Sequence, residues 1–184
     1  MTVSQRRLPL SRGFYDRPTL EVAAELLSCC LCRNINGTVH RWQITETEAY
    51  DGPEDKACHA HKGRTRRTEV MFGPAGNWYV YLCYGVHWML NVVTGPVDFP
   101  AAVLIRGAGD LHGPGRLTKA LQITGELNGQ SALEAGELWI ERGVTVTADP
   151  ITTTPRIGVA YAGPDWSQRP YRFIPGARLD LARK

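Results

Sequence analysis

The sequence predicts a single mixed α+β domain built around a meander of antiparallel strands. Three observations carry that prediction. Apolar runs of strand length recur at short spacing, with Gly, Pro and Asn-Gly turn signals between them. Helical periodicity is confined to a few short segments, and no linker, repeat or low-complexity stretch divides the 184 residues. A chain of this length can bury roughly 70% of its unfolded surface, so the fold needs neither a disulfide nor a metal.

Taken in order, residues 1–7 are expected to be flexible, and Arg12 to Asp16 to lie over the first helix. That helix is predicted from Thr19 to Leu27, because Leu20, Ala23, Ala24 and Leu27 follow the i, i+3, i+4, i+7 pattern behind Pro18-Thr19. Two strands follow, Cys29 to Asn34 and Thr38 to Tyr50, joined by Asn36-Gly37, the dipeptide best suited to a type I′ hairpin. Strict alternation in the second strand puts Trp42, Ile44, Glu46, Glu48 and Tyr50 on one face, and Gln43, Thr45, Thr47 and Ala49 on the other. Asp51 to Asn77 reads as a long loop with one short helical turn, and long ordered loops tend to carry function. Strands are predicted at Trp78 to Cys83, Trp88 to Val93 and Ala101 to Arg106, then a helix over Arg116 to Ile123 behind Gly113-Pro114-Gly115. Short strands at Leu138 to Glu141, Arg156 to Tyr161 and Tyr171 to Ile174 complete the chain.

Composition narrows the function. With 43% hydrophobic and 21% charged residues the chain is ordinary globular protein, not a disordered tail, a collagen or a coiled coil. The most apolar stretch, Trp78 to Val93, is too short for a membrane span and is interrupted by Gly85, His87 and Asn91. Arginines near the N-terminus are not followed by an apolar signal region, so a cytoplasmic protein is expected. Net charge is +3, and Arg outnumbers Lys 17 to 4, which favours bidentate phosphate binding. Within HKGRTRR, His61 to Arg67, four of seven residues are basic and none is acidic. Such a loop could track a phosphate backbone, or simply be a solvated face. The five cysteines, three of them in CCLC, lack zinc-finger spacing and read as small buried hydrophobes. His59 and His61 have no completing ligands, so no metal is expected, and no GxxxxGK[ST] loop or GxSxG elbow is present.

Two features point to chemistry. Five of sixteen aromatics, Trp78, Tyr79, Tyr81, Tyr84 and Trp88, fall within eleven positions. Trp78 and Trp88 suit a sheet core, whereas Tyr84 sits beside Gly85 at a hairpin tip, where an exposed ring could insert between base pairs. Glu48, next to Tyr50 on its face, would project into a partly apolar setting that raises a carboxylate's pKa or demands a cation. Arg106 is the candidate partner, and the pair could be catalytic or purely structural.

Arg17-Pro18-Thr19, Glu46-Thr47-Glu48-Ala49-Tyr50, Gly52-Pro53-Glu54-Asp55, His59, Arg67, Met71-Phe72, Tyr79-Val80-Tyr81, Tyr84-Gly85, Asn91, Leu104-Ile105-Arg106, Gly113-Pro114 and Thr154-Pro155-Arg156-Ile157-Gly158 occur together and in order. This set resembles the alkyladenine (3-methyladenine) DNA glycosylase family, from Leu8 to Pro175. The resemblance implies a curved antiparallel sheet with a protruding hairpin, and a monofunctional enzyme of base-excision repair. Such an enzyme flips a damaged purine from duplex DNA and hydrolyses its N-glycosidic bond without a cofactor, leaving an abasic site. It implies Glu48 as general base, with Arg106 and the Ile157 carbonyl holding the water. Tyr50 on one side, and His59 and Tyr81 on the other, would sandwich the base; Asn91 on the floor would disfavour guanine's amine. His59 would also offer its backbone N–H to the base edge. Tyr84 would fill the gap left by the nucleotide, with Arg64, Arg67, Met71, Val86 and His87 contacting DNA. Lys56, Lys62, Lys119 and Lys184 do not match a Schiff-base nucleophile. Two departures stand out: only six residues separate Arg106 from Gly113, where the family carries a longer insertion, and Arg116 replaces a usual lysine. Against this stand a non-catalytic nucleic-acid-binding module, for which Glu48 has no use, and a free-nucleoside hydrolase, for which Tyr84 and HKGRTRR have none. A monomer is expected.

Overall fold

The computed structural model describes residues 8–143 and 150–176; the predicted flexibility of residues 1–7 lies outside them. Among the described residues the fold is a single α+β arrangement of nine strands and four short helices on an open sheet.

The N-terminal helices α1 (Arg12–Tyr15) and α2 (Thr19–Glu25) lead through a 3-10 turn at Leu26–Ser28 into β1 (Cys29–Ile35). Asn36 and Gly37 both take positive φ, 51° and 83°, as the predicted tight turn requires, and deliver the chain to β2 (Thr38–Asp51). Two 3-10 turns, His59–Lys62 and Glu69–Phe72, punctuate the long loop. The hairpin β3 (Trp78–Cys83) and β4 (His87–Val93) and strand β5 (Ala101–Ala108) form the expected meander. After β5, a tight turn and a two-residue strand β6 (Leu111–His112) pair back on Ala108 and Gly107.

Helix α3 (Pro114–Ala120) starts with Pro114 in its first turn and ends before Gln122, whose φ of 52° stops the helix short of the predicted Ile123. Strand β7 (Leu138–Arg142) lies beside β1 at the sheet edge. The predicted strand over Arg156 to Tyr161 does not form. The strand in this region is β8 (Ile151–Thr154); beyond it Pro155 and Gly158, at φ 77°, break the extended run, which then curls into a 3-10 turn at Ala160–Ala162. Helix α4 (Gly163–Ser167) and β9 (Arg172–Pro175) follow, β9 pairing with both β8 and β2.

Strand order is β3-β4-β5-β2-β1-β7, and the fourteen-residue β2 is its spine: its first half pairs with β1, its second with β5 and β9. One face carries the main core. Leu26, Leu31, Trp78, Leu90, Val103, Ile105, Leu117 and Ile140 are all fully or nearly fully buried there, beneath the helices. Thr47 Oγ1 donates to the Ala23 carbonyl at 2.8 Å and ties α2 to β2. The register of β2 against β5 slips between Ile44 and Glu46 and again before Thr47. That bulge overturns the predicted alternation. Ile44 belongs to the same core as Ala49, whereas Glu46, Glu48 and Tyr50 face the opposite side. No helix among the described residues is long and apolar enough to cross a membrane.

Candidate active site

The second face of the sheet is where the unusual residues collect. Even-numbered positions of β5 and odd-numbered positions of β3 and β4 oppose the core set, so Ala102, Tyr79, Tyr81, Asn91 and Val93 share this side. The loop between β2 and β3 folds over them, and the result is a cleft lined by Tyr50, Ala57, His59, Met71, Tyr79, Tyr81, Asn91, Ala102 and Tyr161.

Aromatic rings dominate its walls. His59 meets Tyr81 edge-on at 4.5 Å between centroids, and Tyr79 lies 5.2 Å from Tyr81. His59 Nδ1 is 3.0 Å from the Tyr79 hydroxyl, and Asn91 Nδ2 donates to the Tyr79 carbonyl at 3.0 Å, which fixes the amide's orientation. The Arg67 guanidinium lies 4.9 Å over the Tyr81 ring, and Arg156 4.9 Å over Tyr50.

Glu48 lies beside Tyr50 with no exposed surface. Oε1 accepts the Ile157 N–H at 2.8 Å, and Oε2 accepts the Tyr50 hydroxyl at 2.9 Å. Burial pushes its carboxyl above the usual carboxylate range, and Arg106, the Ile157 N–H and Tyr50 only partly offset that. Burial also holds the Tyr50 hydroxyl well above its usual pKa, so it stays a donor to Glu48. The predicted Glu48–Arg106 pair needs refinement: Arg106 Nε is 3.4 Å from Glu48 Oε1, but its hydrogen bond goes to Glu46 Oε1 at 2.9 Å. Arg172 Nε reaches the same Glu46 oxygen at 2.6 Å. Burial alone would raise the Glu46 carboxyl, yet the two guanidiniums outweigh it and hold it low. Ile157 meets Glu48 through its amide N–H, a contact the sequence reading, which invoked its carbonyl, did not contain.

Tyr84, at the turn joining β3 and β4, is 93% exposed, beside exposed Val86 and His87. Its φ of 49° and the 70° of Gly85 mark a tight turn closed by Val86 N–H to the Cys83 carbonyl at 3.0 Å. Arg64 and Arg67 are exposed on the basic loop; Arg64 is paired with Glu69 and Asp98 and stacks on Phe72. Met71, expected on the DNA-contacting surface, is 2% exposed and belongs to the cleft wall instead, since the 3-10 turn at Glu69–Phe72 rotates it inward.

Four contributors received no site role from the sequence. Tyr79 could have been found from its i, i+2 relation to Tyr81 on one strand. Tyr161, whose hydroxyl donates to the Ala57 carbonyl at 2.9 Å, carried no local signal. Asp55 and Arg156 stood among the motif residues with no role assigned; they form a buried ion pair 101 residues apart in sequence, closed by Arg156 Nη2 to Asp55 Oδ1 at 2.9 Å. Among the described residues no group of three or more His, Cys, Asp or Glu could hold a metal.

The cleft walled by edge-on and tilted rings, the buried Glu48 beside Tyr50 and the exposed Tyr84 at its hairpin turn belong to a chain whose class the sequence comparisons show. That is the class of the DNA glycosylases. The sequence model of the methylpurine-DNA glycosylase (MPG) family matches residues 13–112 and 110–177, and the chain belongs to this family. A protein of Methanocella arvoryzae is 46% identical over 184 aligned residues, covering 89% of this chain and 90% of the relative. Relatives from Anaeromyxobacter dehalogenans strain 2CP-C and Myxococcus xanthus are each 46% identical, with 90% and 89% of this chain and 83% and 88% of the relatives covered. All three are named "Putative 3-methyladenine DNA glycosylase".

Proposed function

We propose that the protein excises methylated or otherwise damaged purines, of the 3-methyladenine, 7-methylguanine, ethenoadenine and hypoxanthine class, from double-stranded DNA in the cytoplasm. The observation that carries the reading is Glu48. A carboxylate with no exposed surface, raised in pKa by burial and set behind stacking rings, is the equipment of a general base and is of no use to a phosphate-binding module. Tyr84 fills the gap in the duplex as the nucleotide turns out, and the basic loop with Arg64 and Arg67 grips the backbone. Val86 and His87 rest on DNA beside the wedge.

Tyr50 and the His59–Tyr81 pair hold the base, and an electron-poor alkylated purine stacks well between electron-rich rings. Asn91, its Nδ2 pinned to the Tyr79 carbonyl, stands where guanine's exocyclic amine needs room. Both oxygens of Glu48 already accept one hydrogen bond each, which fixes the carboxylate plane while leaving lone pairs for a water. That water passes a proton to Glu48 as its oxygen bonds the sugar's anomeric carbon; the C1′–N bond breaks and the base leaves with the electron pair. Arg106 and the Ile157 carbonyl hold the water, and the ionised Glu48 stabilises positive charge on the sugar. The product is an abasic site, left without strand cleavage.

A single-turnover assay on duplexes with one ethenoadenine, hypoxanthine or methylated purine, followed by alkaline cleavage, tests this. Glu48→Gln is expected to bind the lesion duplex but release base at least about a hundredfold more slowly. Turnover at the wild-type rate in that variant would remove Glu48 from the role.

A further inference from the structure

Glu46 is a buried ionisable group for which the mechanism above has no task. It precedes Glu48 by two positions on the same face of β2, and it takes the shortest contact of both neighbouring guanidiniums, 2.9 Å from Arg106 Nε and 2.6 Å from Arg172 Nε. Glu48 is left at 3.4 Å from Arg106 Nε, within electrostatic reach but without the hydrogen bond. We propose that Glu46, shared between Arg172 and Arg106, is a positioning residue that holds Arg106 back from Glu48 so that Glu48 remains able to accept a proton from water. This inference rests on the reading of Glu48 as the base.

The physical case is one of competition. A carboxylate fully hydrogen-bonded to a guanidinium is stabilised as the anion and is a poor base. The groups facing Glu48 are Glu46 and the Tyr50 hydroxyl from β2, Arg106 from β5, the Ile157 N–H and Arg156 from the segment after β8, and Arg172 from β9, opposite Glu48 in the ladder. Arg156 is neutralised by Asp55. Two anions and two cations therefore balance in the cluster, and Glu46, not Glu48, receives the Nε–H bonds of both cations, while Arg172 Nη1 donates to Thr154 Oγ1 at 3.2 Å. Glu46 stays ionised because its two partners outweigh its burial, and its charge adds to the burial that lifts Glu48.

The test is the single-turnover rate on a methylated-purine duplex as a function of pH, with duplex affinity and unfolding midpoint measured alongside. Loss of the Glu46 charge in Glu46→Gln releases Arg106 to Glu48, and the acid limb of the profile is expected to move down by about one pH unit. Arg172→Gln removes one positive charge and the competitor of Arg106 for Glu46 Oε1, so Glu46 draws harder on Arg106 and the limb moves up. Opposite displacements support the proposal. Lower rates at every pH, with the limb unmoved in both variants, overturn it in favour of a purely structural ion cluster. Should Glu46→Gln fail to fold, the Arg172→Gln limb decides alone: no upward move overturns the proposal. Glu48→Gln in the same assay separates the two claims. Turnover retained there removes the base role and this proposal together; turnover lost there with an unmoved limb in the other variants removes this proposal only.

Discussion

His59 shows how burial tunes a single side chain for its neighbours. Its ring is edge-on to Tyr81, and Nδ1 meets the Tyr79 hydroxyl. Burial, aided by the positive charge of Arg67, lowers its pKa to about 4. A neutral ring at physiological pH does not repel a cationic methylated purine, which an imidazolium would. NMR titration of the ring is expected to give a midpoint near 4 rather than the usual value near 6.5. The folded pKa is depressed, so the unfolded chain binds the extra proton first. The stability contribution is whole above about pH 6.5 and declines as pH falls towards 4. A midpoint above 6 would contradict the neutral assignment. Glu48, Tyr50, His59, Tyr81 and Asn91 were all legible in the sequence as residue types in a recognisable order. The division of Arg106 between two carboxylates was not, because it depends on a 2.9 Å against a 3.4 Å approach that no spacing encodes.

At the scale of elements, the β3–β4 hairpin couples a strained backbone to an exposed ring. A tyrosine at φ 49° occupies a region that costs a side chain with a Cβ about 1 kcal/mol, and an exposed ring regains none of that by burial. Under the proposed function, this strain is kept for the wedge role of Tyr84. Tyr84→Asn, which suits the left-handed conformation, is expected to leave the unfolding midpoint unchanged or raise it by a degree or two. Base release from a lesion duplex is expected to fall at least tenfold, measured by calorimetry and single-turnover kinetics. A destabilised variant with full activity would contradict both halves of that expectation. The hairpin was legible because Tyr-Gly between two alternating runs has few other uses. The bulge in β2 was not: Ile-Thr-Glu-Thr-Glu alternates without interruption, and only the slip against β5 turns Ile44 into the core while Glu46 turns away.

For the molecule as a whole, the Asp55–Arg156 pair fastens the cleft together. Asp55 accepts the Asp51 and Ala57 N–H groups at 3.1 and 3.0 Å, shaping the loop that carries His59. Arg156 donates to the Ala49 carbonyl of β2 at 2.8 Å and lies over Tyr50, one residue before the amide that binds Glu48. Both side chains are fully buried. Asp55→Ala leaves a buried guanidinium uncompensated and is expected to cost about 3–5 kcal/mol, visible as a fall of roughly 10 °C in the unfolding midpoint. Lesion affinity should fall with it, because His59 and Ala57 lose their support. A loss under about 1 kcal/mol would show that water or another group reaches Arg156.

By itself the sequence determined the elements and the chemistry carriers. Turn dipeptides, alternating apolar runs and the ordered Glu, Tyr, His and Arg residues are local properties, and local sterics and hydrophobicity act on them directly. Only tertiary structure decided which residues share a face and which cation serves which anion. It slipped β2 against β5, joined Asp55 to Arg156 and gave Arg106 to Glu46. Each of these outcomes depends on distances between segments far apart in the chain, and a buried charge is drawn to whichever opposite charge the fold brings nearest, at any separation in sequence.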